Sequence, residues 1–313
     1  MSALRRKSSI ALIIGIIVVL LLLPIWSMMI APSIMISELE KIDLLYVYEG
    51  TYEYLSSPSP IVFEAHLYVE EVKGDNVTLK IDVDTISGPF RLSRNSTYVF
   101  NKFTRENVRD ALEADKPREG YDPLFPSHLK ADEDIPRAWL DNLNTTATLE
   151  FKGSVREEGV TLYKYFVNKT IIVPEYYLGP PIGYANCSLM STKTILIEPL
   201  SGLWTYTENE TFSIIQNSIP PLVLSYLTYK STAESKAEKL ADAKAVHDSI
   251  QLLELYIPTI FGVTIALAFN VRRLKRKKLP KPETSSASTY FLLFWDTKMF
   301  MFFVGTNFFE ANG

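Results

Sequence analysis

The two ends of the chain carry long apolar stretches, and these constrain the fold more than any other feature. Near the amino terminus runs IALIIGIIVVLLLLPIWSMMI, 21 residues from Ile10 to Ile30 without a charged side chain. An α-helix of this length crosses about 30 Å of hydrocarbon. The stretch therefore predicts a transmembrane helix over 10–31. The alternative is a cleaved signal peptide, but the apolar core is longer than in such peptides and no A-x-A site follows it.

A second apolar stretch, IQLLELYIPTIFGVTIALAFNV, lies at 250–271 near the other end of the chain. Gln251, Glu254 and Pro258 occupy its first half, so its most apolar part begins at Leu255. Proline is tolerated near the start of a helix. We predict a second transmembrane helix over 255–271.

Basic side chains lie on the terminal side of both apolar stretches. Positive charge concentrates in short cytoplasmic flanks of membrane helices. We therefore expect the terminal segments 1–9 and 272–289 to be cytoplasmic and the middle of the chain to be extracellular. The predicted topology anchors are Arg5, Arg6, Lys7, Arg272, Arg273, Lys275, Arg276, Lys277 and Lys278.

Acceptor motifs for N-glycosylation, Asn-X-Ser/Thr, occur only between the two apolar stretches. They are more numerous than the roughly two that chance predicts for this composition. They indicate a glycosylated, exported surface. The predicted acceptors are Asn76, Asn95, Asn144, Asn168, Asn186 and Asn209.

The middle segment is acidic and has a single cysteine. Between Glu38 and Asp248 there are 32 acidic and 21 basic side chains, a net charge of −11. This balance argues against nucleic acid as a partner. Cys187 alone cannot form an internal disulfide, so the domain depends on its own core. The chain has only two Gln beside abundant Ile, Tyr, Glu and Pro, which favours a heat-adapted, archaeal source.

From Asp43 onward, apolar and polar residues alternate in short runs, which is typical of half-buried strands. We predict hairpins with loops at REEG, ending at Gly159, and at Pro199 to Gly202. The stretch 115–137 contains four Pro and mixed charges, and predicts a surface loop or lid. The expected fold class is a membrane-anchored α+β protein: a mainly antiparallel β outer domain over 37–231, a helical stalk and two transmembrane helices.

The stalk is predicted at 232–254, where TAESKAEKLADAKAVHDSIQLLE is rich in Ala, Lys and Glu. Ala233, Ala237, Ala241 and Ala245 form one small apolar stripe. Two interpretations are open: a freely solvated helix, or a helix whose Ala stripe packs on the first membrane helix or on the β-domain.

The order of these features resembles the porin PorA-like family of bacterial and archaeal envelope proteins, originally a domain of unknown function. Three passages are similar to the family: TATLEFKGSVREEGVTLYKYFV, TILIEPLSGLWTYTENETFSI, and the Ala-rich segment that leads through the second apolar stretch into RRLKRKK. The resemblance covers roughly 10–278. It implies two terminal membrane helices around a β-rich outer domain, and it brings no catalytic residues.

The sequence shows no catalytic, cofactor or metal motif. His66, His128 and His247 are far apart, and no HExxH, CxxC or Gly-rich phosphate loop is present. The carboxylates of Asp82 and Asp84, or those of 132–134, could hold a cation, but solvated acidic surface is the favoured interpretation. We therefore expect a non-enzyme without cofactor or metal.

The tail after the second basic cluster is aromatic and apolar. It spans 290–313 and is interrupted by Asp296 and Lys298, which disfavours a membrane span. We expect it to lie in the membrane interface, with an unstructured tail as the alternative.

The expected function is a structural or binding role at the cell surface. Binding or transfer of lipid or of an envelope ligand is the first alternative, and a subunit of a porin or channel assembly is the second. The expected partners are membrane lipid and either further copies of the chain or other envelope proteins.

Overall fold

The fold is that of a computed structural model of the chain. The structure describes Trp26 and the ranges 42–54, 57–177, 183–215, 222–260 and 262–264. The chain divides into two compact units, Met1–Ile260 and Phe261–Gly313, and most described residues belong to the first. Of the predicted spans 10–31 and 255–271, only Trp26, 255–260 and 262–264 are described, and the basic anchors and the tail 290–313 lie outside the described residues. No helix among the described residues combines the length and the apolar character needed to cross a membrane.

The described residues form one antiparallel sheet of ten strands, in the order β4-β3-β2-β1-β10-β9-β8-β7-β6-β5. The sheet is a meander in two arms, and the pairing of β1 with β10 joins them. The mainly antiparallel β-domain is therefore confirmed. The strands are β1 (Asp43–Tyr54), β2 (Ser57–Lys73), β3 (Asn76–Ser87), β4 (Phe90–Asn101), β5 (Ile135–Leu140), β6 (Thr145–Glu157), β7 (Val160–Tyr177), β8 (Tyr184–Ile197), β9 (Trp204–Ile215) and β10 (Leu222–Ser231).

Both predicted hairpins are present because their turn residues supply the required backbone angles. Between β6 and β7, Glu158 and Gly159 have φ of 47° and 86°. This left-handed pair is typical of a two-residue hairpin loop. Between β8 and β9, Gly202 has φ of 70°.

Helix α1 (Ala233–Gln251) follows β10 directly and lies on the sheet. Thr232 caps its first turn by accepting a hydrogen bond from the Ser235 N–H. Ser235 Oγ in turn accepts from the Val47 N–H of β1 at 3.0 Å. The helix predicted at 232–254 is therefore present, but it packs on the sheet instead of extending as a separate stalk. It continues into a π-helical turn, Leu252–Tyr256.

The predicted apolar stripe of α1 is not its buried face. Its four alanines, at 233, 237, 241 and 245, are all exposed. The buried side chains are those of Ser235, Lys239, Leu240, Ala243 and Ile250. The Ala stripe therefore does not pack on the β-domain, which contacts another face of α1 that carries Leu240, Ala243 and Ile250. Packing of the stripe on the first membrane helix concerns a span of which only Trp26 is described.

The segment between β4 and β5, residues 102–134, connects the two edge strands of the sheet. We call it the bridge segment. Val108 N–H donates to the Val99 carbonyl of β4 at 2.8 Å, and Tyr121 N–H donates to the Arg137 carbonyl of β5 at 3.0 Å. Phe125, in the same segment, is almost fully buried. The prediction of a surface loop over 115–137 is therefore wrong for 118–125, most of which is buried, and the longest exposed run of the stretch is 130–134.

Arg118 fastens this bridge at both ends. Its side chain is only 2% exposed. It donates to the Thr97 carbonyl of β4 at 3.0 Å and to Asp141, just after β5, at 3.2 Å. Its guanidinium also lies 3.7 Å from the centre of the Tyr98 ring. The chain tolerates this buried charge because carbonyl and carboxylate oxygens accept its hydrogen bonds.

The two largest of four buried apolar clusters lie in the two arms, and Trp204 packs against both. The first lies in the β1–β4 arm and includes Leu67, Leu79 and Ala243 of α1. The second lies in the other arm and includes Phe125 and Leu149. Trp204, at the start of β9, thus lies where the two arms and the bridge segment meet.

Candidate anchoring site at the base of helix α1

The turn that joins β8 to β9 is closed by two backbone hydrogen bonds. Gly202 N–H donates to the Glu198 carbonyl at 2.8 Å, and Glu198 N–H donates to the Leu203 carbonyl at 2.8 Å. A Cβ on Gly202 would lie 2.5 Å from the Pro126 carbonyl oxygen, closer than side chains approach. Glycine is therefore required both for the left-handed φ and for the close approach of the bridge segment.

The carboxylate of Glu198 is fully buried and connects this turn to helix α1. It accepts hydrogen bonds from the N–H groups of Leu200 at 3.1 Å and Ser201 at 2.6 Å. His247 of α1 donates from Nδ1 to Glu198 Oε1 at 2.8 Å. Gln251 Nε2 lies 2.8 Å from the other ring nitrogen of His247, so the imidazole is held on both sides.

Arg105, from the bridge segment, lies against the same turn. Its guanidinium donates to the carbonyl groups of Phe125, at 3.1 Å, and Ser201. Burial lowers the pKa of Arg105 to about 10, and the carboxylate of Glu198 opposes this effect. Arg105 and Glu198 thus place opposite charges inside the fold, and backbone groups complete their hydrogen bonding.

Helix α1 changes its hydrogen-bond register after Gln251, just beyond the residues that contact the β8–β9 turn. In the π-helical turn, Ile257 N–H donates to the Leu252 carbonyl, five residues earlier. The same register would pair the Leu253 carbonyl with residue 258, but Pro258 has no N–H. Trp26, from the first apolar stretch, donates its indole N–H to this carbonyl at 2.9 Å. The two apolar stretches are therefore joined at Leu253.

A second contact holds the π-helical turn to the bridge segment. His128 Nε2 lies 2.9 Å from Glu254 Oε2. The backbone around His128 is fixed in turn to the β8–β9 turn, since Leu129 N–H donates to the Pro199 carbonyl at 2.8 Å. This contact and those above fix the end of α1 to the sheet and to the first apolar stretch. We call the set Trp26, Glu198, His247, Leu253 and Glu254 the anchoring site.

Asp122 forms a separate buried polar group beside Lys193. Its Oδ1 has no hydrogen-bond partner among the described residues, and Lys193 Nζ lies 3.9 Å from it. Lys193 is also 5.5 Å from the centre of the Trp204 ring. Burial raises the pKa of Asp122 to about 6, and the charge of Lys193 opposes this rise. This carboxyl is a source of pH dependence in the core.

The predicted glycosylation acceptors differ in exposure. Asn76 is half-buried, whereas Asn95, Asn144, Asn168 and Asn186 are exposed. Asn209 is only 2% exposed, and its amide donates to Thr211 Oγ1 at 3.0 Å. The other acceptors thus have access to solvent, and burial in β9 counts against Asn209.

The residues considered for chemistry do not converge on one site. His66, His128 and His247 each contact a different carboxylate, those of Asp43, Glu254 and Glu198. Asp82 accepts from the Tyr68 hydroxyl, and Asp84 from Ser93 and Arg91. Burial of Cys187 raises the pKa of its thiol, so the thiolate is disfavoured. Within the described residues, no group of three or more His, Cys, Asp or Glu side chains could hold a metal ion.

Sequence reasoning missed Glu198, Arg105, Asp122 and the partnership of Trp26 with Leu253. A weak signal existed for Glu198, because it directly precedes the predicted Pro-x-x-Gly turn and therefore had to lie beside that turn. No local pattern pairs Glu198 with His247, which is 49 residues away. In an α-helix, Pro258 would leave the Glu254 carbonyl without a donor, and only the π-helical register moves this vacancy to Leu253.

These features define an antiparallel β-domain whose final helix is fixed to a buried turn and linked to an apolar stretch. The chain belongs to the porin PorA family: the family model described as Porin PorA matches residues 61–271. The match begins in β2 and includes the anchoring-site turn and helix α1, and it confirms the resemblance found in the sequence. Membership of this family indicates a protein of the cell envelope. No curated protein sequence matches the chain.

Proposed function

We propose that the chain is a membrane-anchored envelope protein that holds its β-domain outside the membrane in a fixed orientation. The stretches 10–31 and 255–271 are its membrane helices, and the termini are cytoplasmic. The observation that carries this proposal is the hydrogen bond from Trp26 to the Leu253 carbonyl. It joins the two apolar stretches at the end of α1, which supports anchoring of the β-domain through both.

The contacts around this point support the proposed fixed orientation. A helix held only through the chain at one end would be free to pivot. Helix α1 is held at two further points: Glu198 contacts His247 at 2.8 Å, and His128 contacts Glu254 of the π-helical turn at 2.9 Å. Its buried side chains add apolar contact along its length. The role we propose is therefore structural display of an N-glycosylated surface, and it is non-catalytic.

Site-directed labelling tests the topology. Cys187 is buried and is replaced in a Cys187→Ala background. Leu112→Cys introduces a thiol at a position that is 98% exposed in the β-domain, and Ser286→Cys introduces one in the predicted cytoplasmic linker. We expect a membrane-impermeant maleimide to label the Leu112→Cys chain in intact cells and the Ser286→Cys chain only after permeabilisation.

Two results would contradict the anchoring. One is release of the chain from the membrane fraction by alkaline carbonate, which extracts peripheral proteins. The other is labelling of the Ser286→Cys chain in intact cells, which would reverse the orientation. The background chain without added cysteine controls for non-specific labelling.

Pore formation is the second candidate, and the description of the family favours it. Conductance of the purified chain in planar bilayers tests it. Discrete conductance steps that require the β-domain would replace the structural proposal, whereas a chain that inserts without conductance would support it.

A further inference from the structure

The outer edge of β4 is covered by the bridge segment along its second half. Thr97 N–H, which points away from β3, donates to Asp115 Oδ1 at 3.1 Å. The Val99 carbonyl points the same way and accepts from the Val108 N–H at 2.8 Å. In this half of the strand, the bridge segment therefore satisfies the backbone groups that β3 leaves unused.

The first half of the same edge is open. Strand β4 is the last strand on its side of the sheet, and it pairs with β3 without a register shift. The backbone groups of residues 91 and 93 therefore point outward, as those of 97 and 99 do. The stretch FRLSR at 90–94 is exposed at every position, and no strand among the described residues pairs with its outer side. We call it the open edge. Such an edge is a template for a further strand.

Three side chains lie on one face of the open edge, because side chains alternate along a strand. Phe90 is 77% and Leu92 is 69% exposed, and Arg94 is also exposed. An antiparallel strand of the same sequence places Leu92 opposite Leu92, and Phe90 opposite Arg94 on both sides of it. Paired leucines remove apolar surface from water, and an aromatic ring attracts a guanidinium. The open edge is thus complementary to itself.

We propose that the open edge pairs with the open edge of a second copy, about a two-fold axis at Leu92. Both copies then use the same residues, as a two-fold interface requires. Residues 91 and 93 of one copy face residues 93 and 91 of the other, so their outward backbone groups exchange hydrogen bonds. The pairing ends near residue 95, because Asp115 occupies the edge at Thr97.

The charges of the open edge do not oppose this pairing. Charged residues on an edge strand commonly repel a partner strand. Arg91, however, forms an ion pair with Asp84 of β3, and in the paired copies it lies opposite Ser93. Arg94 lies opposite Phe90. No two like charges are therefore directly opposite each other.

The expected glycan on Asn95 is compatible with the pairing. Asn95 follows the open edge, and its side chain lies on the face opposite to that of Leu92. A glycan there leaves the row of Phe90, Leu92 and Arg94 uncovered.

The pairing fixes where the two anchoring sites lie. Strand β4 begins at the open edge and ends at Asn101, and Arg105 shortly after it donates to the Ser201 carbonyl of the β8–β9 turn. Antiparallel pairing of two β4 strands therefore places the two anchoring sites at opposite ends. If the anchoring sites lie at membranes, as proposed above, the paired copies belong to two opposing membranes. This arrangement rests on the proposed function, whereas the edge pairing does not.

Disulfide trapping tests the pairing and its register. The full chain is used in detergent micelles, in the Cys187→Ala background. Leu92→Cys places two thiols on the axis, where the Cα atoms of opposite residues lie about 4.5 Å apart, so mild oxidation should link the copies. Ser93→Cys is equally open to solvent but lies opposite Arg91, and it should link about tenfold more slowly. Leu112→Cys, 98% exposed in the bridge segment, should not link.

A charge variant tests the pairing without a covalent bond. Leu92→Lys places two like charges opposite each other, and it should raise the dimer dissociation constant by about tenfold or more in analytical ultracentrifugation. Leu112→Lys makes the same change away from the open edge and should dimerise like the native chain. Circular dichroism shows whether each variant is folded, and if Leu92→Lys unfolds, the cysteine series decides alone.

Three results would overturn the pairing: a native chain that stays monomeric in micelles, equal linking of Leu92→Cys and Leu112→Cys, or fastest linking of Ser93→Cys. Aggregation of vesicles that carry the full chain, measured by light scattering, tests the opposing membranes. Dimers in micelles without vesicle aggregation would support the pairing and contradict the proposed orientation. A monomeric chain that resists carbonate extraction would overturn the pairing and support the anchoring.

Discussion

Trp26 and Leu253 are joined by a hydrogen bond that crosses 227 positions of sequence, from the indole N–H to a backbone carbonyl. The carbonyl is available because Pro258 cannot donate to it in the π-helical register. A buried carbonyl without a donor is costly, so the tryptophan compensates for the proline. The bond therefore links helix α1 to the first apolar stretch through a defect in the helix itself.

The first prediction concerns this bond. Trp26→Phe keeps an aromatic ring but removes the donor, and we expect it to lower the free energy of unfolding by about 1 kcal/mol. In a Pro258→Ala background, the N–H of residue 258 is available to the Leu253 carbonyl. Trp26→Phe should therefore lower the free energy of unfolding by less in this background. The measurement is a double-mutant cycle by chemical unfolding of the full chain in detergent micelles. An equal loss in both backgrounds would show that Pro258 does not create the need for Trp26.

The second prediction concerns Glu198. Glu198→Ala leaves the N–H groups of Leu200 and Ser201 without their acceptor and removes the charge that faces Arg105. We expect a loss of about 3–5 kcal/mol in the free energy of unfolding. Glu198→Gln keeps the shape and should lose less.

The control for Glu198 is a more exposed carboxylate that also contacts α1. Glu157 accepts from Lys236 at 2.8 Å, and both side chains are partly exposed. Glu157→Ala should therefore cost about 1 kcal/mol or less. Urea unfolding, monitored by circular dichroism, measures the free energy of unfolding of both variants. Similar losses of stability for the two positions would argue against a special role of Glu198.

The third prediction concerns Asp122 and pH. Its pKa is about 6 in the folded chain, above its ordinary value of 3.8, so the folded state binds more protons between these values. The contribution of Asp122 to stability is therefore present below about pH 4, falls by about 3 kcal/mol as pH rises to 6, and is constant above. Asp122→Asn should remove this fall.

Two neighbouring carboxyl groups have pKa values shifted in the opposite direction. Burial raises the pKa of Asp115 and Asp141, but hydrogen bonds from Arg118 and Lys116 outweigh it and lower the pKa of both. Their stabilisation is lost as pH falls below about 4. The measurement is the difference in unfolding free energy between Asp122→Asn and the native chain from pH 4 to 7. A difference in unfolding free energy that stays constant over this pH range would exclude the raised pKa of Asp122.

The strands and hairpins could be predicted from the sequence because their signals are local. Alternation with period two marks most of the strands, but not β5, which begins inside the stretch predicted as a loop. Gly159 and Gly202 mark turns because glycine readily adopts the positive φ found at both positions. The buried face of α1 could not be predicted in this way. Its small alanines fit water and core equally well, and the position of the sheet selects Leu240 and Ile250 instead.

The bridge segment could not be predicted for a related reason. Its prolines and charges resemble a solvated loop, yet Arg118 is buried because the Thr97 carbonyl and Asp141 accept its hydrogen bonds. Those partners lie on opposite edges of the sheet, so only the folded chain brings them together. The anchoring site has the same property, since Glu198 and His247 are distant in sequence.

The last prediction concerns the glycosylation acceptors, which the sequence motif treats alike and the fold does not. The Asn209 amide is 2% exposed, donates to Thr211, and accepts from Ser191 Oγ at 3.1 Å. A glycan on its nitrogen would have no room and would break this network. Asn95, Asn144 and Asn168 are exposed. Glycopeptide mass spectrometry of the native chain should therefore find glycans at these three positions and none at Asn209.

Two matched variants sharpen this expectation. Asn95→Gln should remove one glycan from the mass of the chain and leave stability unchanged, because the side chain is exposed. Asn209→Gln should leave the glycan mass unchanged and lower stability by about 1–3 kcal/mol, since a longer amide must fit a buried network. A glycan on Asn209 in the native chain would mean that β9 is modified before the sheet closes around it.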